Sequence, residues 1–390
     1  MNLAAKNAKC AKKAWPMVRL GDVCDIIAGQ SPEGVNYTGD PSFVEFHQGC
    51  KAFGNKYLES SGIYTKVVTK IAKSGSILMS VRAPVGTLNI TQRDVCIGRG
   101  LAAFNACESL NQDYLYFCLL AGNEKLNKVA GAGTVFPSIS RSQLASFTFS
   151  LPPLTVQREI VARLEKELGE ADALAAKFKE IAENADAEFK AELDGTFKNV
   201  EGEKVRLGDV CGIDGSLVTD YERYAKYPHI GIDCIEKTTG RILGYRTVEE
   251  DNVRSGKYYF TRQHIIYSKI RPNLNKVAVP EFDGLCSADS YPLLPKETCD
   301  RYWLAYMMRS KRFLEYVVPI SNNRTGMPKV NRSEVLAFTF TIPPLEAQRA
   351  IVGKLDSAKD KCEKLKAAAE RGLRAAEDLR KSILAEAFEQ

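Results

Sequence analysis

The sequence predicts an α+β protein made of two copies of one domain, each copy followed by a long helix, the two helices pairing antiparallel about an approximate two-fold axis. Three observations predict it. The run VRLGDVC at residues 18–24 recurs letter for letter at 205–211, an offset of 187. A longer match joins 137–164 to 328–355 at an offset of 191, where RSQLASFTFSLPPLTVQREIVARL faces RSEVLAFTFTIPPLEAQRAIVGKL. After each Pro-Pro pair in that match the apolar period changes from 2 to 3.6 residues, the mark of a strand giving way to a helix. Between the anchors, ILMSVRAP at 77–84 resembles IIYSKIRP at 265–272, and YLYFCLL at 114–120 resembles YWLAYMM at 302–308. Matches in one order with drifting offsets describe a duplication whose middle has diverged.

Each copy opens on a short turn and strand, Arg19-Leu20-Gly21-Asp22 in the first, and runs on through β-rich sequence punctuated by Gly, Pro and Asn. Strands are predicted over 76–81, 147–151, 257–260, 264–270, 276–279 and 338–342, and a helix near 112–130 in the first copy and 300–318 in the second. The boundaries expected are 15–151 and 201–342 for the two domains, and 152–200 and 343–390 for the two helices.

Pro152-Pro153 and Pro343-Pro344 stand where proline suits a first helical turn. Beyond them Ile351, Leu355, Ala358, Cys362, Leu365, Ala369, Gly372, Ala376, Leu379 and Ile383 alternate steps of four and three, a heptad seam. The first helix repeats the pattern less regularly through Ile160, Leu164, Leu168, Ala171, Leu174, Phe178, Ile181, Ala185 and Phe189. Gly169, Gly353 and Gly372 are expected as tolerated costs of about 1 kcal/mol each. A helix of about forty residues reaches roughly 60 Å and needs a partner along its apolar stripe. The other copy's helix is the economical partner, and chain order makes the return antiparallel.

Composition narrows the function classes. Hydrophobic content of 45% and charged content of 26% are those of a chain with sizeable cores. No apolar run is long enough to span a bilayer. Residues 1–14 carry four lysines without an apolar stretch, a basic tail and not a secretory signal, so a cytoplasmic location is expected. The eleven cysteines lack any C-x-x-C spacing and there are only three histidines, so free thiols and no zinc site are expected. The net charge is +6, yet residues 154–195 hold eleven acidic against six basic side chains and 345–390 nine against ten, which leaves +10 on the rest. Positive charge outside the long helices suits contact with phosphate.

Catalytic motifs fail on inspection. Leu151-Pro152-Pro153-Leu154 and its copy lack the Asn or Asp of an amino-methyltransferase loop. Gly131-Ala132-Gly133-Thr134 follows a helix where a cofactor loop would follow a strand. No P-loop is present, and no Ser–His–Asp or Cys–His spacing stands out. A fused methyltransferase or nuclease with an unrecognised active site is the alternative reading. A pure coiled-coil scaffold is a third class, disfavoured because a scaffold has no need of two large domains.

WPMVRLGDVC at 15–24 with its echo at 204–211, the segments SVRAP at 80–84 and SKIRP at 268–272, and the doubled LPPL/IPPL-x-x-Q-R-x-I-V helix start resemble the specificity subunit of type I restriction–modification enzymes over nearly the whole chain. The resemblance implies two target-recognition domains, each reading half of a bipartite double-stranded DNA target, with the long helices as spacer and docking regions. It implies two methyltransferase subunits that modify adenine, restriction subunits that translocate and cleave, and no catalysis, cofactor or membrane contact by this chain. The tail 1–14 lies outside it.

Candidate DNA contacts follow from side-chain chemistry. Arg82 and Arg271 sit in similar settings before turns and can grip phosphate or guanine O6 and N7, although aligning the prolines leaves them one residue out of register. Lys269, Asn273, Asn275 and Lys276 cluster near Arg271. Asn323 and Arg324 lie in a polar loop suited to adenine or guanine edges, and Gln48, Lys51, Asn55, Lys56 and Tyr57 form a polar-aromatic stretch in the first copy. Each has a bland alternative, as an internal ion pair or a solvated loop residue.

Overall fold

In the first copy, Met17–Arg19 pairs antiparallel with Thr148–Ser150, so the start of the repeat is stitched to its end. The computed structural model describes residues 15–131, 137–322 and 327–388, and divides into two units, 1–178 with 371–390 and 179–370. After Met17–Arg19 comes a single helical turn, Leu20–Val23, against the short helix Arg141–Ala145. Here the glycine of the repeated motif has its reason. A Cβ on Gly21 would lie 2.9 Å from the Ala145 Cβ, closer than side chains pack.

A four-stranded antiparallel sheet follows, in the order Cys24–Ala28, Leu101–Ala106, Ile77–Ser80, Leu88–Ile90. Its strand Ile77–Ser80 is buried on both faces, which is why ILMS reads as an unbroken apolar run. Ile77, Met79, Ala102 and Phe104 face the helical side with Leu115 and Leu119, while Leu78, Leu101 and Ala103 face Val95 and Ile97. Those last belong to a second sheet, in the order Tyr37–Thr38, Tyr64–Thr65, Val44–His47, Val95–Ile97, Ile71–Ala72, with one parallel pairing between Val44–His47 and Val95–Ile97.

The second unit rebuilds this frame. Glu203–Arg206 pairs with Thr339–Ile342, and a four-stranded sheet runs Cys211–Ile213, Ser290–Pro295, Ile265–Ser268, Val277–Ala278. Its second sheet runs Leu217–Val218, Lys257–Phe260, Gly284–Ser287, Pro228–Ile230, Arg246–Thr247, again with one parallel pair, Pro228–Ile230 with Gly284–Ser287. The fifth strand differs between the copies. Tyr37–Thr38 lies at one edge of the first sheet, beyond Tyr64–Thr65, whereas Leu217–Val218 lies at the other edge of its sheet, beyond Lys257–Phe260. The diverged middle of the repeat is therefore a different edge as well as different loops.

The single helix expected in each copy is two. In the first copy Gln112–Ala121 and Asn123–Gly131 meet at Gly122, where a Cβ would come within 2.3 Å of the Phe147 ring. In the second copy Arg301–Arg309 and Lys311–Asn322 meet at the buried Ser310, and the Asp194 carboxylate accepts from the Lys311 backbone N–H at 2.7 Å.

The long helices are Leu154–Lys198 and Leu345–Phe388, 45 and 44 residues. Within the first unit Asp172 pairs with Arg380, and the Phe178 ring rests on Gly372. Within the second, Asp186 pairs with Lys366, Glu188 with Lys361 and Glu192 with Lys354. In both units the partner's number falls as the first rises, so the pairing is antiparallel. Gly372 corrects its expected role, because a Cβ there would stand 2.4 Å from Phe178 and the glycine makes room for the ring. The seam is also narrower than its pattern. Leu355, Cys362, Ala369 and Ala376 are buried at heptad spacing, but Leu365 and Leu379 are exposed, as are Leu174 and Ile181. The small residues on the buried line let the helices approach closely, and with only two helices the flanking positions open to water. The first helix ends by burying Leu193 and Phe197 in the second unit's core, Phe197 against Trp303. The second ends with Leu384 buried in the first unit's core and the Phe388 ring 5.6 Å from Tyr114.

Candidate nucleic-acid interface

Two pairs of polar side chains that both copies share, Gln157 with Gln348 and Arg141 with Arg332, are spent on bonds inside the fold. Gln157, fully buried in the LPPL-x-x-Q-R motif, donates from Nε2 to the Ser109 and Pro152 carbonyls at 3.0 and 2.7 Å and accepts the Asn111 N–H at 2.7 Å. Gln348 makes the same set, donating to Thr298 and Pro343 and accepting from Asp300. Asn111 and Asp300 in turn cap the helices that follow them, so one glutamine ties the start of a long helix to the start of a domain helix. Arg141 donates to the Ile26 carbonyl at 2.9 Å, and Arg332 likewise to Ile213. What distinguishes the copies must lie elsewhere.

In the first unit several loops converge on one edge. The Val81 N–H donates to Gly100 O and the Ile139 N–H to Val81 O, while Gly98 N–H reaches His47 O, Gln30 N–H reaches Ile97 O, and the Arg99 N–H reaches Ser31 Oγ, all at 2.8–3.2 Å. Gln30, Gln48, Arg82 and Arg99 are thereby held on one surface, and all four are exposed. Gly100 permits the crowding, since a Cβ there would stand 2.4 Å from the Gln48 carbonyl. Arg99 escaped the sequence reading. Its signal was an arginine between two glycines in the turn joining two strands, IGRGL.

In the strand that precedes Gln48, Val44–His47, a buried carboxylate forms an ion pair with the partly exposed Arg93. The Glu45 carboxylate, 7% exposed, accepts from Arg93 Nε at 2.6 Å, from Ser60 Oγ at 2.7 Å and from the Ser61 N–H at 2.6 Å. Burial alone would raise its pKa, but the guanidinium, hydroxyl and amide outweigh burial and bring it down to about 2. Arg93 also donates to the Leu58 and Glu59 carbonyls, so the pair holds the loop before Tyr64–Thr65.

The remaining candidates divide by their partners. Lys51 is exposed in the turn Cys50–Ala52. Lys56 pairs with Glu165 at 3.1 Å and sits over the rings of Tyr57, Tyr116 and Phe117, so its ammonium already has company. In the second unit Lys269 donates to Ala288 O at 2.7 Å and lies over Tyr291, and Lys276 donates to Ile232 O at 2.6 Å. Asn275 is buried and donates to Arg309 O. Arg271 and Asn273 are exposed, Arg271 with a left-handed backbone at φ 47° whose N–H donates to Pro328 O. Asn323 and Arg324 lie outside the described residues. Bridge pairing settles the register: Arg82 faces Ser138 and Ile270 faces Lys329, so the position equivalent to Arg82 is Ile270. The second unit adds a feature the sequence reading missed, the rings of Tyr224, Tyr227 and Tyr259 gathered at 5.3–6.3 Å with Arg223 over Tyr224.

Among the described residues no group of three or more His, Cys, Asp or Glu could hold a metal ion, and no helix is long and apolar enough to cross a membrane. Burial pushes the thiols of Cys24, Cys286 and Cys299 up to about 12, which keeps them protonated and poorly nucleophilic.

Comparison with known proteins agrees with this arrangement of two domains and two helices. The family model for the type I restriction modification DNA specificity domain matches twice, over residues 12–181 and 199–371. The EcoDI specificity subunit of Escherichia coli, a type I restriction enzyme, is 26% identical over 410 residues, covering 96% of this chain and 88% of that one. A putative type I restriction enzyme specificity subunit, MjaX of Methanocaldococcus jannaschii, is 36% identical over 173 residues, 44% of this chain and 40% of its own. In fold, the HsdS subunit from Thermoanaerobacter tengcongensis superposes with a TM-score of 0.55 at 19% identity, covering 98% of both chains. A chain from a structure of type I R-M complex assembly and conformational transition does so at 0.74 and 18%, covering 96% of this chain and 97% of that one. Matched by the family model in both of its halves, the chain belongs to the type I restriction modification DNA specificity family, as a non-catalytic specificity subunit with two recognition domains.

Proposed function

We propose that residues 15–151 and 201–342 each read one half of a bipartite double-stranded DNA target, that the helices at 152–200 and 343–390 separate the two readers and dock partners, and that two methyltransferase subunits and the restriction subunits act where this chain directs them, in the cytoplasm. One observation carries the reading: a repeated frame in which Gln157 and Gln348, Arg141 and Arg332 make matching internal bonds, while the sheet edges and their loops differ between the copies. A protein that must present two different faces to similar duplex geometry has this division of labour. The test is replacement of residues 18–151 by the corresponding domain of a relative, followed by mapping of methylated adenines in a host carrying the whole operon. One half of the modified sequence should change and the other should persist. Change in both halves would defeat the reading.

Within this reading Gln48, Lys51, Arg82 and Arg99 are the first domain's contacts, and Arg271 and Asn273 the second's. Lys56, Lys269 and Lys276 act through the loops they brace. Arg99→Ala and Arg82→Ala should weaken binding through the first half-target and Arg271→Ala through the second. The loss should be about 1–3 kcal/mol where the contact is to a base edge. A phosphate contact would instead weaken binding to every sequence and lower the salt slope by about one. Equilibrium binding of single-half mismatched duplexes at several salt concentrations separates the two, and unchanged binding by a folded variant would remove that arginine from the interface.

A further inference from the structure

The first unit gathers exposed apolar side chains at one corner of its five-stranded sheet. Val35 is 84% exposed, Val67 48% and Val68 44%. Tyr37 pairs with Thr65, and the Lys66 N–H donates to Asn36 O at 3.0 Å, which carries the pairing one step on and puts Val35 and Val67 at the same edge. The turn bearing Val67 and Val68 is fastened on both sides. The buried Thr65 donates from Oγ1 to Val67 O at 2.8 Å, and Thr69 donates from Oγ1 to Gln30 O. A held turn presenting branched apolar side chains to water gains nothing for folding from their exposure.

The surroundings indicate what covers them. Lys66 and Lys70 flank the valines and are exposed. The Lys70 carbonyl accepts the Ile97 N–H, two residues before Arg99, so the turn is continuous with the edge that carries Gln30, Gln48, Arg82 and Arg99. Glu33 is the carboxylate nearest in sequence, and a carboxylate can accept from a cytosine amino group in the same groove. Val35, Val67 and Val68, with Tyr37 37% exposed beside them and Lys66 and Lys70 flanking, continue an edge of exposed amides and guanidinium groups, which favours a phosphate-bearing partner over an apolar protein face. They suit the C5-methyl of thymine, which projects into the major groove between the phosphate rows that lysines would meet.

We propose that Val35, Val67 and Val68 form a methyl clasp, so that the half-target read by the first domain contains thymine at one or two positions sensed through the methyl group. The inference rests on the DNA-reading function proposed above. The test uses the chain assembled with its own methyltransferase subunits and duplexes carrying the mapped target, with each thymine replaced in turn by deoxyuridine. At one or two positions, all in one half, affinity should fall about fourfold per methyl lost. A Val67→Ser/Val68→Ser variant, altered only at exposed positions, should bind the thymine duplex more weakly and lose less than the wild type when uracil replaces thymine. Unchanged affinity at every uracil position, with a scrambled half still abolishing binding, would overturn the clasp and leave DNA reading intact. Equal affinity for mapped and random duplexes would overturn both.

Discussion

Gln157→Leu is expected to lower the stability of the first unit by about 3 kcal/mol, and Gln348→Leu that of the second by a similar amount. The replacement keeps the side chain's size but removes three hydrogen bonds, in the first case a buried one to the Pro152 carbonyl and two part-buried ones with the Asn111 N–H and the Ser109 carbonyl. A buried acceptor left without a partner costs about 1–3 kcal/mol and each part-buried bond about 1, and the apolar gain from leucine offsets only part of that sum. The two glutamines are far apart in sequence and belong to different units, so their effects should add. Urea unfolding of each single variant and of the double variant is the measurement. A loss below about 1 kcal/mol would mean that the helix start rests on its prolines and apolar contacts alone.

The second large effect concerns Glu45. Glu45→Ala is expected to cost about 2–3 kcal/mol, because it takes from the partly exposed Arg93 guanidinium its carboxylate and frees the Ser60 and Ser61 donors. The same carboxylate ties stability to pH. Its folded pKa of about 2 lies below the ordinary 4.5, so the unfolded chain takes up the proton first as pH falls. The contribution is complete above about pH 4.5 and disappears as pH drops towards 2. Denaturation midpoints for wild type and Glu45→Gln, compared between pH 6 and pH 3, should therefore converge as acid is added. A difference that stayed constant over that range would show that the carboxylate is not the group responsible. DNA binding should weaken in the glutamine variant as well, since the loop held by Arg93 precedes Tyr64–Thr65, a strand of the sheet whose Thr65 and Ile97 lie two residues before Val67 and Arg99.

The duplication, the α+β class and the two long helices were legible in the residues. They rest on local signals: an identical heptapeptide, a proline pair before a change of period, and a seam repeated every seven residues. Even the most specific motif was visible, though its reason was not. The glutamine of LPPL-x-x-Q-R meets its partners 46 and 48 residues away, at Asn111 and Ser109, and no sequence period reports such a pairing.

Tertiary structure decided the rest. The second sheet of each copy is made of strands as short as two residues, joined by a parallel pair and closed by a fifth strand on opposite edges, and segments that short carry no periodicity. It also divided the candidate contacts. Lys56, Lys269 and Lys276 look like Lys51 in sequence, yet three of the four have their ammonium groups committed to a carboxylate, a carbonyl or an aromatic face. Arg99 and Val67 joined the candidate surface because hydrogen bonds from distant loops hold their turns there. Sequence alone determined the repeated frame and its helices, since those follow from neighbours three, four or seven residues apart. Which side chains remain free to meet a ligand depends on residues brought together from beyond any helical or strand period, 19 positions apart for Lys269 and Ala288 and 109 for Lys56 and Glu165, and only the folded chain determines that.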